Sequence, residues 1–103
     1  MTPEGKVKAD VKKFLKAIGA YFYMPVQNGM GVVGIPDIVG CYRGRFFGIE
    51  TKAPNKTPTA PEQRWAKATP NQQAQLEGIL AAGGIGLVAD NVQQVIDAFE
   101  EAF

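Results

Sequence analysis

At 103 residues, 46% hydrophobic and 20% charged, the sequence fits one globular domain, 1–103, with no apolar run long enough to span a membrane. It has no histidine and a single cysteine, Cys41, which excludes zinc–histidine centres, Ser-His-Asp and other imidazole-based catalysis, and disulfide frameworks. The net charge of +1 hides an asymmetry: residues 1–67 hold all 11 Lys and Arg and carry +6, whereas residues 68–103 carry −5. A basic face that meets a polyanion would give this pattern; a solvated lysine face on one helix would too, and charge alone favours the latter.

Thr2-Pro3 reads as an N-cap followed by proline at the first helical position. Val7, Val11, Phe14, Leu15 and Ile18 then recur at helical spacing, and Gly19 supplies a stop, so the spacing predicts a helix over 3–18. Lys6, Lys8, Lys12, Lys13 and Lys16 fall outside its apolar stripe. This N-terminus lacks the apolar segment of a secretory leader, so a cytoplasmic protein is expected. Tyr21 to Met24 is strand-like, and Pro25 to Gly34, with three glycines and the Asn28-Gly29 pair, reads as a loop. Ile35–Tyr42 and Arg45–Lys52 form a β-hairpin about a turn at Arg43-Gly44.

Ala53 to Ala68 holds Pro54, Pro58 and Pro61, with Pro70 beyond, and reads as a long loop of the kind that tends to be functional. Lys56, Arg64 and Lys67 beside Trp65 suit nucleic-acid contact, while packing of Trp65 on the core explains the tryptophan equally well. Thr69-Pro70-Asn71-Gln72 is a capping box opening a helix with Leu76, Ile79 and Leu80 inward, which stops at Gly83-Gly84. Ile85–Ala89 is a short strand. Asn91 caps a last helix that turns Val92, Val95, Ile96 and Phe99 inward, with Gln94 completing a second capping box.

The hairpin carries the chemistry. A two-residue turn at Arg43-Gly44 pairs residues whose numbers sum to 87, which sets Asp37 opposite Glu50 with Cβ atoms ~5 Å apart; a bulge at Gly44 would move this register by one. Opposed carboxylates destabilise a purely structural sheet, but make sense if a divalent cation sits between them. Mg²⁺ takes oxygen ligands, and the Thr51 carbonyl could add one. Lys52 shares the face of Glu50 and would activate an attacking water or stabilise charge on a phosphoryl transition state. Taken singly, Asp37 is also a turn residue after Pro36, and Glu50 and Lys52 are also edge-strand charges. Glu4 lies at the margin of the first helix's apolar stripe; interaction with the helix dipole explains it most simply, a ligand role being the alternative.

These residues resemble a known nuclease pattern. Gly34-Ile35-Pro36-Asp37, a short hairpin and Ile49-Glu50-Thr51-Lys52 are similar to the PD-(D/E)XK motif. Within that superfamily the chain resembles the VRR-NUC family, which joins such a pair of motifs to a Thr-Pro-x-Gln helix start, here Thr69–Gln72, and an Ala-Gly-Gly turn, here Ala82–Gly84. The likeness runs from about Glu4 to Phe99. It implies an α/β restriction-endonuclease-like core: a mixed sheet with flanking helices in the order α-β-β-β-α-β-α. It implies Asp37, Glu50, the Thr51 carbonyl and Glu4 as ligands of Mg²⁺ or Mn²⁺, and Lys52 as the catalytic lysine. It adds Gln72 to the catalytic set, although Gln72 also has a local task in its capping box. Small members of the family resemble homodimeric phage or bacterial proteins acting on branched DNA such as four-way junctions, without a nucleotide cofactor. Residues 54–69 are longer than the family pattern.

The resulting expectation is a metal-dependent DNA endonuclease that contacts DNA through Lys56, Arg64, Lys67 and Lys12. A catalytically silent DNA-binding module in a phage or bacterial DNA-processing complex is the alternative, and a protein–protein adaptor using the acidic last third is a further one. Salt separates the DNA-binding readings from the adaptor, because DNA binding weakens steeply with ionic strength and an apolar interface does not.

Overall fold

The Thr2 hydroxyl accepts the Gly5 N–H at 3.0 Å and Pro3 follows with its fixed φ, so the first helix begins where its cap places it. The computed structural model describes residues 1–26 and 31–103; the expected Asn28-Gly29 turn lies outside the described residues. The elements are α1 (Pro3–Ala17), β1 (Tyr21–Tyr23), β2 (Ile38–Tyr42), β3 (Arg45–Thr51), α2 (Pro61–Ala66), α3 (Pro70–Ala81), β4 (Ile85–Ala89) and α4 (Val92–Ala102). The four strands lie in the order β1-β2-β3-β4, the first two pairings antiparallel and β3–β4 parallel. A parallel pair needs a crossover connection, and α2 and α3 supply it.

Helices pack on both faces of the sheet, on the second over β3 and β4. α1 and α4 bury Val7, Val11, Leu15, Val95 and Phe99 against Ile38, Phe47, Ile49, Ile85 and Ala89. Phe99 meets Phe14 and Phe47 edge to face at centroid distances of 5.8 and 5.3 Å. On the opposite face Ala68, Leu76 and Val88 form a smaller cluster with Trp65 and Ile79. Trp65 is therefore a packing residue. Leu80, expected inward, is 47% exposed, because α3 leans on the sheet through Leu76 and Ile79. Gly48 of β3 permits that approach: a Cβ there would stand 2.5 Å from Ile79 Cδ1.

Two further expectations change. The proline-rich segment contains α2, because Pro61 is a helix-starting proline and the Gln63 side chain takes the Ala60 N–H at 2.8 Å, half of a capping box without a hydroxyl. Proline density read as loop when one proline marked a helix start. At α4, Asn91 accepts the Gln94 N–H as expected, but the Gln94 side chain turns to Asp90, accepting its N–H and donating to Oδ1 at 2.8 Å each, so no second capping box forms. Asp90 is 2% exposed and offers a better partner at the strand end.

Asp90 also holds the crossover. It accepts from Thr59 Oγ1 at 2.9 Å and from Lys67 Nζ at 3.0 Å, while Arg64 donates to the carbonyls of Val88 and Thr59. Burial alone would raise the Asp90 carboxyl; its hydrogen bonds from Lys67, Thr59 and Gln94 outweigh that and hold it below the usual value. Its contribution is thus full above the ordinary pKa and is lost as pH falls through the lowered one. Asp90→Ala should lower stability at pH 7 by about 1–3 kcal/mol, less than for a fully buried pair because Lys67 is partly solvated. A denaturation midpoint unchanged at neutral pH would show that this network does not hold the crossover.

Candidate active site

The β2–β3 register is the expected one: Ile38 pairs with Ile49 and Val39 with Gly48, about a turn in which Arg43 has φ 49° and Gly44 φ 82°. No bulge intervenes. Asp37 and Glu50 stand one position past the last rung. Alternation sends Glu50 and its neighbour on β4, Val88, to the α3 side of the sheet. Lys52 continues β3 by one residue, its N–H reaching the Ala89 carbonyl at 2.9 Å.

The two carboxylates differ in surroundings. Asp37 Oδ2 accepts the Thr51 N–H at 3.0 Å and the Thr51 hydroxyl at 2.8 Å, which turns that oxygen toward β3. Glu50 is 3% exposed, and its Oε1 is the one buried side-chain polar atom without a hydrogen-bond partner among the described residues. Burial first, then the charge of Asp37, pushes its carboxyl up to about 7; Lys52 and the Asp37 backbone amide pull the other way, and Glu4 adds to the rise.

Around this pair the structure assembles most of the expected residues. Lys52 Nζ donates to Gln72 Oε1 at 3.2 Å, and the same oxygen accepts the Thr69 N–H at 2.9 Å while the Gln72 N–H goes to Thr69 Oγ1. Gln72 therefore caps α3 and steadies the lysine at once. Gly34 brings the Pro36-Asp37 segment against this helix start: its φ is +82°, and a Cβ there would lie 2.5–2.7 Å from the Asn71 and Gln72 backbone. Glu4 is half-buried in the first turn of α1. Its charge reaches Glu50, so it belongs to the margin of the site as well as to the helix dipole.

Sequence reasoning passed over Lys8, whose Nζ is 3.9 Å from Asp37 Oδ1. The available signal was its spacing: four residues after Glu4, on the same helix flank. The expected DNA contacts divide. Lys56 is exposed and Lys12 half-buried. Arg64 and Lys67 are tied to the crossover, Lys67 also donating to Asn55 Oδ1 at 2.6 Å.

No group of three or more His, Cys, Asp or Glu side chains stands close enough to hold a metal ion among the described residues. Glu4 thus does not join Asp37 and Glu50 as a third clustered ligand. What is present is two carboxylates, one with an unpartnered buried oxygen, and the Thr51 carbonyl. That set fits Mg²⁺, which is commonly bound through one or two carboxylates while keeping several waters.

No protein-family model matches this sequence, and no curated protein matches it. Solved structures share its fold. One described as a VRR_NUC domain aligns with a TM-score of 0.72 and 23% identity over 100% of both chains. Another, a VRR_NUC domain protein, aligns with a TM-score of 0.69 and 19% identity, covering 100% of this chain and 89% of that one. The mixed sheet with its flanking helices is the α/β architecture expected from the sequence. More narrowly, it is the fold of the VRR_NUC domains, the one that the residues around Asp37, Glu50 and Gln72 led us to expect.

The raised Glu50 carboxyl sets a pH dependence. Folded, it keeps its proton up to about pH 7; unfolded, it ionises near 4.5. The folded state therefore binds more protons between those values, and stability falls as pH rises from about 4.5 through 7, by ~3 kcal/mol in total. In chelator, the melting temperature should drop between pH 5 and 8, and Glu50→Gln should flatten that curve. Parallel pH curves for the two proteins would refute the strained carboxylate.

Proposed function

We propose that this chain is a metal-dependent DNA endonuclease that hydrolyses phosphodiester bonds. Asp37, Glu50 and the Thr51 carbonyl would hold Mg²⁺ or Mn²⁺, with Glu4 adding negative charge at the margin. The observation that carries the reading is Glu50 itself. A buried carboxylate with a free oxygen, next to a second carboxylate, is costly in a structural sheet and suited to a cation site. A bound divalent cation supplies charge neutralisation at the phosphate and a lowered pKa for the attacking water.

The chain's own groups do the positioning. Thr51 orients Asp37 through two hydrogen bonds, leaving Oδ1 on the side of Lys8. Lys52, steadied by Gln72, presents an ammonium that donates to a phosphate oxygen and offsets charge as phosphorus is attacked. Its two remaining N–H donors suffice for this role. The resemblance of its sequence motifs to the VRR-NUC family extends the proposal to branched DNA such as four-way junctions, and to a homodimer whose paired sites would make paired cuts. A bacterial or phage-infected cytoplasm is the proposed setting.

The test is a cleavage assay on labelled four-way-junction, flap and linear duplex DNA with Mg²⁺, Mn²⁺ or chelator. Native protein should cut only with metal, and Lys52→Ala should lose about 10²–10⁴-fold in rate while remaining folded. Asp37→Asn should weaken Mg²⁺ binding at least tenfold by calorimetry. Equal cutting by Lys52→Ala removes the lysine from the mechanism. Salt-sensitive DNA binding without any cutting favours the catalytically silent module instead.

A further inference from the structure

We infer that the flank of α1 carrying Lys8, Lys12 and Lys16 is the track along which the phosphate backbone of bound DNA leaves the candidate active site. This deepens the nuclease reading and rests on it for the identity of the polyanion.

Glu4, Lys8, Lys12 and Lys16 are spaced by four, so each step turns the helix by only ~40° and advances it by ~6 Å. Successive lysines therefore stand one above another, at a separation comparable with that of successive phosphates on a strand. Each lysine directly follows a buried position, Val7, Val11 or Leu15. The other flank of that buried stripe carries Phe14 and Ile18, which pack on the core, Phe14 against Phe99 of α4. The lysine flank thus faces away from α4. It begins at the site itself, since Lys8 Nζ is 3.9 Å from Asp37 Oδ1 and the Glu4 charge is felt by Glu50. Lys8 and Lys12 are half-buried, as suits long side chains whose apolar stems cover surface while the charged head stays accessible.

Most of the other basic residues have partners; Lys13, on the solvent side of α1, and Lys56, in the segment after β3, are exposed and make no ion pair among the described residues. Lys6 pairs with Asp10 at 2.6 Å, Arg45 donates to the carbonyls of Gly83 and Ala102, and Arg64 and Lys67 hold the crossover. Among the described residues Lys12 and Lys16 make no ion pair, and Lys8 makes only a long, partly solvated one. A phosphate competes readily for ammonium groups in that state. The solvent-facing Lys6 and Lys13, seven residues apart, provide a charge-matched contrast on the same helix.

Anisotropy titrations of labelled duplex DNA in chelator, where no cutting occurs, test the track. Lys12→Gln/Lys16→Gln is compared with Lys6→Gln/Lys13→Gln over a range of salt. The first pair should reduce the slope of log K against log salt by about 2, one per phosphate contact, and weaken binding about tenfold or more at low salt. The second pair should leave the slope close to native, and circular dichroism melts should show both variants folded. Equal losses in the two variants, or none in the first, overturn the track. A native protein that cuts DNA but shows that result loses the track alone. One that cuts nothing yet shows the expected contrast loses the nuclease reading and keeps the track.

Discussion

The two-residue turn at Arg43-Gly44 is the constraint on which the rest depends. Both residues have positive φ, the mirror-image turn whose twist matches the strands it joins. Its length allows one register, and register decides which side chains face the core. A slip by one residue would move Glu50 to the α1 face and Ile49 off it. With the observed register, Ile38, Phe47 and Ile49 build the main core while Asp37, Glu50 and Lys52 gather at one end of β3. Because β3 lies between β2 and β4, α1 and α3 are both positioned against this strand, while α2 packs on β4 beside it.

Two buried carboxylates show how differently the same group is used. Asp90, just past β4, has hydrogen bonds from Thr59, Lys67 and Gln94, and its carboxyl is held below the usual value. Glu50, one strand away, keeps an oxygen without a partner and is pushed up to about 7. The first is the arrangement of a group that ties chain segments together. The second is tolerated in a fold when some further ligand completes it. The crossover held by Asp90 also carries α3, whose first turn presents Gln72 to Lys52, so the tied carboxylate helps to place the partner of the strained one's neighbour.

The basic residues divide in the same way. Density of positive charge in the first two thirds of the chain suggested a polyanion, and the proline-rich segment looked like the place for it. In the folded protein Arg64 and Lys67 of that segment are consumed by internal carbonyls and Asp90. Lys56 stays exposed, and the open charge that adjoins Asp37 lies on α1, which as a sequence resembled an ordinary solvated helix face. Free charge follows from which lysines find partners on folding, and composition has no access to that.

Local rules by themselves determined a good deal. Caps at Thr2, Thr69 and Asn91, the hairpin turn and the alternation of Asp37, Ile38, Ile49 and Glu50 depend on interactions within a few residues, and all are present. The grouping of Asp37 with Glu50 and Lys52 was legible for the same reason, since a hairpin makes distant chemistry local. Only the tertiary structure decided that Lys52 meets Gln72 across twenty residues and that Lys8 reaches Asp37. Those contacts join elements whose relative placement is set by packing on the two faces of the sheet, and no spacing along the chain encodes where such packing brings a side chain to rest.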